Sequence, residues 1–386
     1  MTEWFFNSAT VQEMTENPRS DRWRRDPPDV IPLTVADPDF HVAPEIKSAI
    51  ISAVANDEFG YSFSDRSLHE KCASKIAEKN GIPATAEDVL PTNGVISGMW
   101  IAARYACKEG DEVIVNDPMY YPFTMMAELN KTKPVKWGLD YEEGYRFDTE
   151  KLKEIVTPKT KLIYVCNPHN PTGRVMTKEE LKGVADIAVD NEITVLSDEL
   201  WEDVLFDNRK HVSLASLNPE IERLTITQFG VSKAYNLAGL RMGYMCFTNK
   251  EGMKRARMEA FGASMMPTNL AKAAAQVILS DQLGWWLEGL RNHLHKIRGI
   301  CERWFDGMPN ITYPKLEGTY LMFPKFNYDM SSEKLEEYLV EEARVRLERG
   351  SIFGEKGEGH QRILIATSEA IVNEALERIE KALAKL

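Results

Sequence analysis

Short apolar runs alternate along the chain with longer segments in which apolar residues recur every three or four positions. A short continuous apolar run predicts a strand that is buried on both faces, and the periodic segments predict helices. The predicted strands lie at 111–116, 161–166, 193–197, 224–229 and 242–247. Strands and helices that alternate in this way favour an α/β fold, in which helices cover both faces of a mainly parallel sheet.

The C-terminal part follows a different pattern. Residues 284–308 predict one long amphipathic helix. Beyond it the pattern predicts strands near 311–314 and 319–324, a helix near 332–347, a strand at 362–366 and a final helix near 369–385. This mixture of short strands and helices indicates a smaller α+β unit.

Polar motifs follow two neighbouring predicted strands. Residues 167–174, with two Asn-Pro steps and a glycine, come directly after strand 161–166, and a capping box at 177–180 starts the next helix. Asp198 ends the strand at 193–197. Open α/β sheets bind ligands at the carboxyl ends of parallel strands, so we expect these polar residues to share one site.

Lys233 follows the apolar strand at 224–229, is flanked by small residues, and is followed eight positions later by Arg241. A solvated lysine has a pKa of about 10.4 and is a poor nucleophile at neutral pH. Desolvation or a nearby cation lowers that pKa and favours Schiff-base chemistry. The pattern therefore fits an amine that binds an aldehyde cofactor, although a lysine without such neighbours is usually a solvated surface charge.

Composition narrows the class of protein. The 386 residues allow two or three domains, and the 59 acidic against 47 basic residues argue against nucleic acid or an anionic membrane as a partner. The five cysteines form no CxxC pair, which predicts reduced, mostly buried thiols in a cytoplasmic protein. No apolar stretch approaches the roughly 18 residues that a membrane-spanning helix needs, and the first residues do not form an export signal.

Over nearly its whole length the chain resembles the fold-type I pyridoxal-phosphate enzymes, specifically the class I/II aminotransferase group. The residues whose order and spacing carry this resemblance are Asn170, Asp198, Lys233, Arg241 and Arg362. Within the group, residues 35–40, 168–174 and 232–239 look like the cystathionine β-lyase-like C–S lyase branch. The resemblance implies a large domain over 45–285 with a mainly parallel seven-stranded sheet, and a small domain formed by 1–44 and 286–386.

The resemblance also implies roles around the ring of pyridoxal 5′-phosphate. Lys233 is expected to bind the cofactor covalently and to act as the general base. Asp198 is expected to keep the pyridine nitrogen protonated, and Asn170 to donate a hydrogen bond to the phenolic O3′. Tyr120 corresponds to the aromatic residue that stacks on the ring, with its neighbour Tyr121 as the alternative.

For the cofactor phosphate, the resemblance implies backbone N–H groups at Gly94 and Val95, where a helix starts, together with the cation of Arg241. Tyr61 corresponds to a tyrosine that reaches the phosphate of the neighbouring subunit, so a homodimer with shared sites is expected. Gly230 replaces a serine that usually contacts the phosphate, and Ser232 is the candidate that could compensate.

For an amino-acid substrate and a 2-oxo acid, Arg362 corresponds to the arginine that binds the α-carboxylate, helped by Asn170 and by the backbone of Ala36. The glycine-rich stretch 350–359 is expected to be a mobile loop beside it. A substrate with two carboxylates would need a second arginine. The unplaced candidates are Arg19, Arg22, Arg24 and Arg25.

Two reactions remain open, because the same residues serve transamination and the β-elimination that a C–S lyase performs. Arg241 is typical of aminotransferases, and Trp201 stands where the lyase branch often has histidine; its indole N–H can donate to O3′ but cannot accept. We therefore favour an aminotransferase. Metal or serine-nucleophile chemistry has no HExxH or GxSxG motif to support it. A regulator with an aminotransferase-like domain would need a DNA-binding module, and the chain begins with the enzyme-like segment.

Overall fold

The computed structural model describes residues 2–62, 65–263 and 265–386. Its strands are β1 (Ile31–Pro32), β2 (Val89–Thr92), β3 (Glu112–Asp117), β4 (Lys133–Gly138), β5 (Thr160–Cys166), β6 (Thr194–Asp198), β7 (Thr225–Gly230), β8 (Gly243–Cys246), β9 (Ile311–Thr312), β10 (Leu321–Met322), β11 (Lys325–Phe326), β12 (Val345–Arg346), β13 (Glu348–Arg349) and β14 (Gln361–Leu364). Its α-helices are α1 (Thr2–Asn7), α2 (Val11–Glu16), α3 (Arg22–Arg25), α4 (Pro44–Ala55), α5 (Arg66–Lys75), α6 (Val95–Ala106), α7 (Pro122–Leu129), α8 (Thr149–Ile155), α9 (Lys178–Asp190), α10 (Pro219–Leu224), α11 (Lys250–Gly262), α12 (Asn269–Ile278), α13 (Gly284–Asp306), α14 (Ser332–Tyr338) and α15 (Glu369–Leu383).

A seven-stranded sheet in the order β2-β8-β7-β6-β5-β3-β4 forms the centre of the molecule. Only β8 runs antiparallel to its neighbours, so the predicted mainly parallel sheet is confirmed. The five predicted strands are all present within one or two residues of their expected bounds. The pattern missed β2 and β4, the two edge strands, because Pro91 and Pro134 interrupt their apolar runs.

The sheet is buried on both faces, as β5 illustrates. Leu162 and Tyr164 point into one apolar core with α6, whereas Ile163 and Val165 point into a second core with α9. Successive side chains of a strand alternate between faces, so a sheet covered on both sides reads as an uninterrupted apolar run. The predicted capping box starts α9 and orients it over the sheet. None of the described helices is both long and apolar enough to span a membrane.

One C-terminal helix is present but ends earlier than predicted. The helix expected near 332–347 is α-helical over Ser332–Tyr338 and continues as a π-helical turn over Leu339–Ala343. Arg344 then adopts a left-handed conformation with φ 55°, which ends the helical run. The next residues instead form β12, which pairs in parallel with β1 of the N-terminal segment. A strand partner more than three hundred residues away in sequence therefore overrode the local helical pattern.

Candidate active site

The polar residues predicted to share one edge of the sheet do lie there. Asp198 ends β6 between Cys166 of β5 and Gln228 of β7, and its carbonyl accepts a hydrogen bond from the N–H of Asn167 (3.0 Å). In the turn after β5, the carbonyl of Asn170 accepts from the N–H of Tyr120 (3.1 Å). Backbone hydrogen bonds thus hold three separate segments together at the carboxyl ends of the strands.

Asp198 has an unusual protonation equilibrium. Its side chain is buried, and burial raises its pKa to about 7, although the N–H of Leu200 donates to Oδ1 (3.2 Å) and opposes that shift. A carboxyl group that titrates near neutral pH can share a proton with a basic ring nitrogen placed against it. The site thus contains a buried acid suited to a pyridine ring.

Lys233 follows β7 and is half-buried. Its Nζ donates to the carbonyl of Ala36 (2.7 Å), a residue 197 positions away in the chain. Burial lowers the pKa of Lys233 to about 8, while the nearby carboxylate of Asp37 partly opposes that shift. An amine with this pKa is partly neutral near physiological pH, as attack on an aldehyde requires.

Two aromatic side chains pack near Lys233. The ring centroid of Trp201 is 5.7 Å from Lys233 Nζ, and Tyr320 meets the Trp201 ring edge to face at 4.6 Å. The Tyr320 hydroxyl donates to the carbonyl of Ala36 (3.2 Å), so this carbonyl has two donors. A carbonyl cannot donate to a carboxylate, so any substrate contact by Ala36 must use its N–H.

Arg362 is buried at the start of β14. Its NH1 donates to Oδ1 of Asn170 (3.1 Å) and its NH2 donates to Oε2 of Glu348 (3.1 Å). The guanidinium carbon is 4.7 Å from the ring centroid of Phe353, which belongs to the glycine-rich stretch 350–359. That stretch does lie beside the arginine, as expected, and its mobility stays a prediction. The amide oxygen of Asn170 is engaged, so its Nδ2 is the atom directed to other acceptors.

The start of α6 has the features of a phosphate site. Gly94 precedes the helix with φ 105° and provides no side-chain cap for the first N–H groups. A Cβ added to Gly94 would lie 4.0 Å from the Cα of Arg241, so the arginine backbone is close to the helix start. Helix N-termini attract anions, and a neighbouring guanidinium strengthens that attraction.

The remaining predicted cofactor residues differ in exposure. Tyr120 is half-buried, and burial raises the pKa of its hydroxyl to about 12, whereas half of the Tyr121 side chain is exposed. Ser232 is buried, and its carbonyl accepts from the N–H of Leu237 (3.0 Å). Tyr61 is 94% exposed on its own chain. Tyr120 therefore suits a contact within the subunit, and Tyr61 a contact outside it.

The glycine at position 230 has a steric explanation. A Cβ there would lie 2.6 Å from Cδ1 of Leu200 and 3.2 Å from Cγ1 of Val95. These two side chains occupy the space that a serine side chain would enter. Local packing thus favours glycine over serine at this position.

The residues that follow Asp198 take part in a buried polar network. Glu199 accepts hydrogen bonds from His211 Nε2 (2.7 Å) and Ser213 Oγ (2.7 Å), and Glu202 forms an ion pair with Lys75. Glu199, Glu202 and His211 together could ligate a metal ion. Because Lys75 already neutralises Glu202, we interpret the group as an ion-pair network that supports the turn.

Sequence analysis did not single out three side chains of the site. Asp37 lies next to Ala36 in a stretch whose family likeness was noted, so its position was the available signal. Tyr320 and Glu348 gave no signal, because nothing local reveals that one contacts Ala36 and the other contacts Arg362.

Comparisons with known proteins agree with this geometry. The sequence model of the family "Aminotransferase class I and II" matches residues 28–379. The chain is 32% identical to aromatic-amino-acid aminotransferase 2 of Thermococcus litoralis, over 92% of each chain. It is 28% identical to cystathionine beta-lyase PatB of Bacillus subtilis, over 92% of this chain and 93% of the relative. The crystal structure of cystalysin from Treponema denticola, which contains pyridoxal 5′-phosphate, superposes with a TM-score of 0.92 at 28% identity, covering 99% of this chain and 98% of that one.

Proposed function

This chain belongs to the aminotransferase class I and II family of pyridoxal-phosphate-dependent enzymes, and on that premise we propose that it transfers the amino group of an L-amino acid to a 2-oxo acid. The observation that carries the proposal is that the charges of Asp198 and Arg362 both act on Lys233. The amine of Lys233 has a pKa of about 8, and the carboxyl group of Asp198 has a pKa of about 7. Arg362 provides a buried guanidinium that can bind a carboxylate.

The residues present fit pyridoxal phosphate. Lys233 would hold it covalently, and Asp198 would share a proton with its ring nitrogen. Gly94 and Val95 at the start of α6, together with Arg241, would bind its phosphate. Asn170 Nδ2 would donate to the phenolic oxygen, since Oδ1 already accepts from the guanidinium of Arg362.

Two further contacts complete the proposed cofactor site. Tyr120 would stack on the ring, which its half-buried position permits. Trp201 and Ser232 would border the lysine from either side, where the Trp201 ring lies 5.7 Å from Nζ. When bound, the cofactor supplies an electron sink for the pair left by removal of the Cα proton.

The protein's own part in catalysis is to bind, orient and move one proton. Arg362 would bind the α-carboxylate of the substrate, with the N–H of Ala36 as a second donor. Nζ of Lys233 would accept the Cα proton, because an amine with a pKa of about 8 can act as a base near neutral pH. Trp201 and Tyr320 would exclude water from that proton transfer.

The assembly and location are part of the same proposal. We propose a homodimer in which Tyr61 reaches the phosphate of the other subunit. We also propose a cytoplasmic location, which fits the free thiols of the five cysteines. The large domain at 45–285 and the small domain formed by 1–44 and 286–386 likewise remain a proposal, which the pairing of β1 with β12 supports.

The test of the cofactor site is borohydride reduction of the holoenzyme followed by peptide mapping. The pyridoxyl group is expected on Lys233, and K233A should lose both the adduct and transamination. The matched control is K272A, because Lys272 likewise has a pKa lowered by burial but its Nζ donates to the carbonyl of Ser62. An adduct on any other lysine would contradict the proposal.

A second candidate function is β-elimination at a carbon–sulfur bond. The likeness to PatB and the TM-score of 0.92 with cystalysin favour it. The two reactions separate when holoenzyme is mixed with cystathionine in the absence of any 2-oxo acid. An aminotransferase converts its cofactor once and stops, whereas sustained release of pyruvate would establish the lyase.

A further inference from the structure

The arginine proposed to bind substrate already donates a hydrogen bond to a carboxylate of this chain. Glu348 of β13 lies directly opposite Arg362 of β14 in the strand register. Its Oε2 accepts from Arg362 NH2 (3.1 Å) and from the backbone N–H of Val35 (3.2 Å). The Glu348 side chain is 26% exposed, so part of it remains accessible beside the buried Arg362.

A second carboxylate acts on Lys233. Asp37 is half-buried, and its charge acts on Lys233 more strongly than that of Asp198 does. It directly follows Ala36, whose carbonyl accepts from Lys233. Lys233 and Arg362 thus each have an acid close to them.

The candidate second arginines already contact acceptors of this chain. Arg22 is buried in an ion pair with Asp39, and Arg19 pairs with Glu13. Arg24 donates to the carbonyl of Pro18 (2.7 Å). Arg25 is the remaining one, 3.7 Å from Asp21 with 65% of its side chain exposed.

We propose that Glu348 determines the substrate class, so that the enzyme accepts amino acids with uncharged or positively charged side chains and rejects dicarboxylic ones. This rests on the proposed function, in which Arg362 binds the α-carboxylate. One guanidinium would then lie between two carboxylates. A second substrate carboxylate would be repelled by Glu348 and Asp37, because the four candidate second arginines already contact other acceptors. Like charges brought together in a partly desolvated site give strong discrimination.

The test measures binding and catalysis separately. The dissociation constants of 2-methylaspartate and 2-methylalanine, which lack a Cα proton and so bind without turnover, are measured from the absorbance of the holoenzyme. Their ratio gives the preference in binding. The preference in catalysis is the ratio of kcat/KM for aspartate to kcat/KM for alanine. The variants are E348Q and the control E333Q, since Glu333 pairs with Arg349 and is exposed.

The wild type and E333Q should bind the neutral ligand at least about tenfold more tightly, and E348Q should lose most of that preference. A wild-type enzyme that binds 2-methylaspartate more tightly than 2-methylalanine would overturn the inference by itself. The inference also fails if E348Q and E333Q have the same ratio of dissociation constants for the two ligands. An enzyme that binds both ligands but transaminates no L-amino acid, whether its side chain is aliphatic, aromatic, cationic or acidic, would instead count against the proposed function, and the binding ratios would still decide the role of Glu348.

Discussion

Lys233 acquires its reactivity from its surroundings. Burial lowers the pKa of the amine to about 8, and the charge of Asp37 limits that decrease. We therefore predict that the rate at which cofactor-free enzyme binds pyridoxal phosphate covalently rises with pH and levels off above about pH 8. In D37N the midpoint should move to lower pH, because the charge that favours the protonated amine is gone.

Stopped-flow absorbance across pH 6 to about 10 measures this profile. E333Q serves as the control for loss of one negative charge at a distance. A D37N midpoint at or above the wild-type value would show that the carboxylate does not act on the lysine.

Asp198 should leave a signature in stability. Its pKa is 3.8 ordinarily and about 7 in the folded chain, so between these values the folded protein binds more protons than the unfolded one. We predict that the free energy of unfolding of the cofactor-free enzyme falls as pH rises from 4 to 7, by at most about 1.4 kcal/mol per unit from this group. D198N lacks the titrating carboxyl and should show a flatter slope in urea denaturation. Parallel slopes for the two proteins would refute this.

At the scale of elements, the proposed phosphate site depends on how closely α6 approaches β8. A Cβ at Gly243 would lie 3.1 Å from the carbonyl carbon of Gly94 and 3.2 Å from the backbone nitrogen of Val95. Backbone atoms cannot move aside as a side chain can, so an added methyl must displace the helix start.

We predict that G243A destabilises the fold by about 1–3 kcal/mol and weakens cofactor binding more than tenfold. G239A is the matched control, because nothing lies within 4 Å of a Cβ at that exposed glycine. Urea denaturation and fluorescence titration with pyridoxal phosphate measure the two effects. Equal behaviour of the two variants would argue against a tight helix start.

At the scale of the whole molecule, exposed apolar side chains offer a surface for the proposed dimer. Ile51, Phe59 and Tyr61 are 67%, 66% and 94% exposed. Burial of such side chains between subunits would stabilise a dimer. We predict a holoenzyme mass of twice the 43.9 kDa of one chain in light scattering.

The proposed sharing of sites between subunits allows a sharper test by mixing variants. K233A lacks the lysine but keeps Tyr61, and Y61A keeps the lysine but lacks the tyrosine. If Tyr61 acts across the interface, a hybrid of the two contains one intact site, so activity at limiting cofactor should appear that neither parent shows. A mixture no more active than its parents, despite subunit exchange, would place Tyr61 outside the shared site.

The sequence by itself determined what depends on local pattern and order. Apolar runs specified five strands of the sheet, and the positions of Lys233, Asp198 and Arg362 at segment ends identified the family and its cofactor, because motifs of a few residues carry that chemistry. Only the tertiary structure decided which distant residues meet. It placed Ala36 and Asp37 beside Lys233, Glu348 against Arg362, and β12 beside β1. Burial and charge at a site arise from residues far apart in the chain, so pKa values and substrate selectivity follow from the fold.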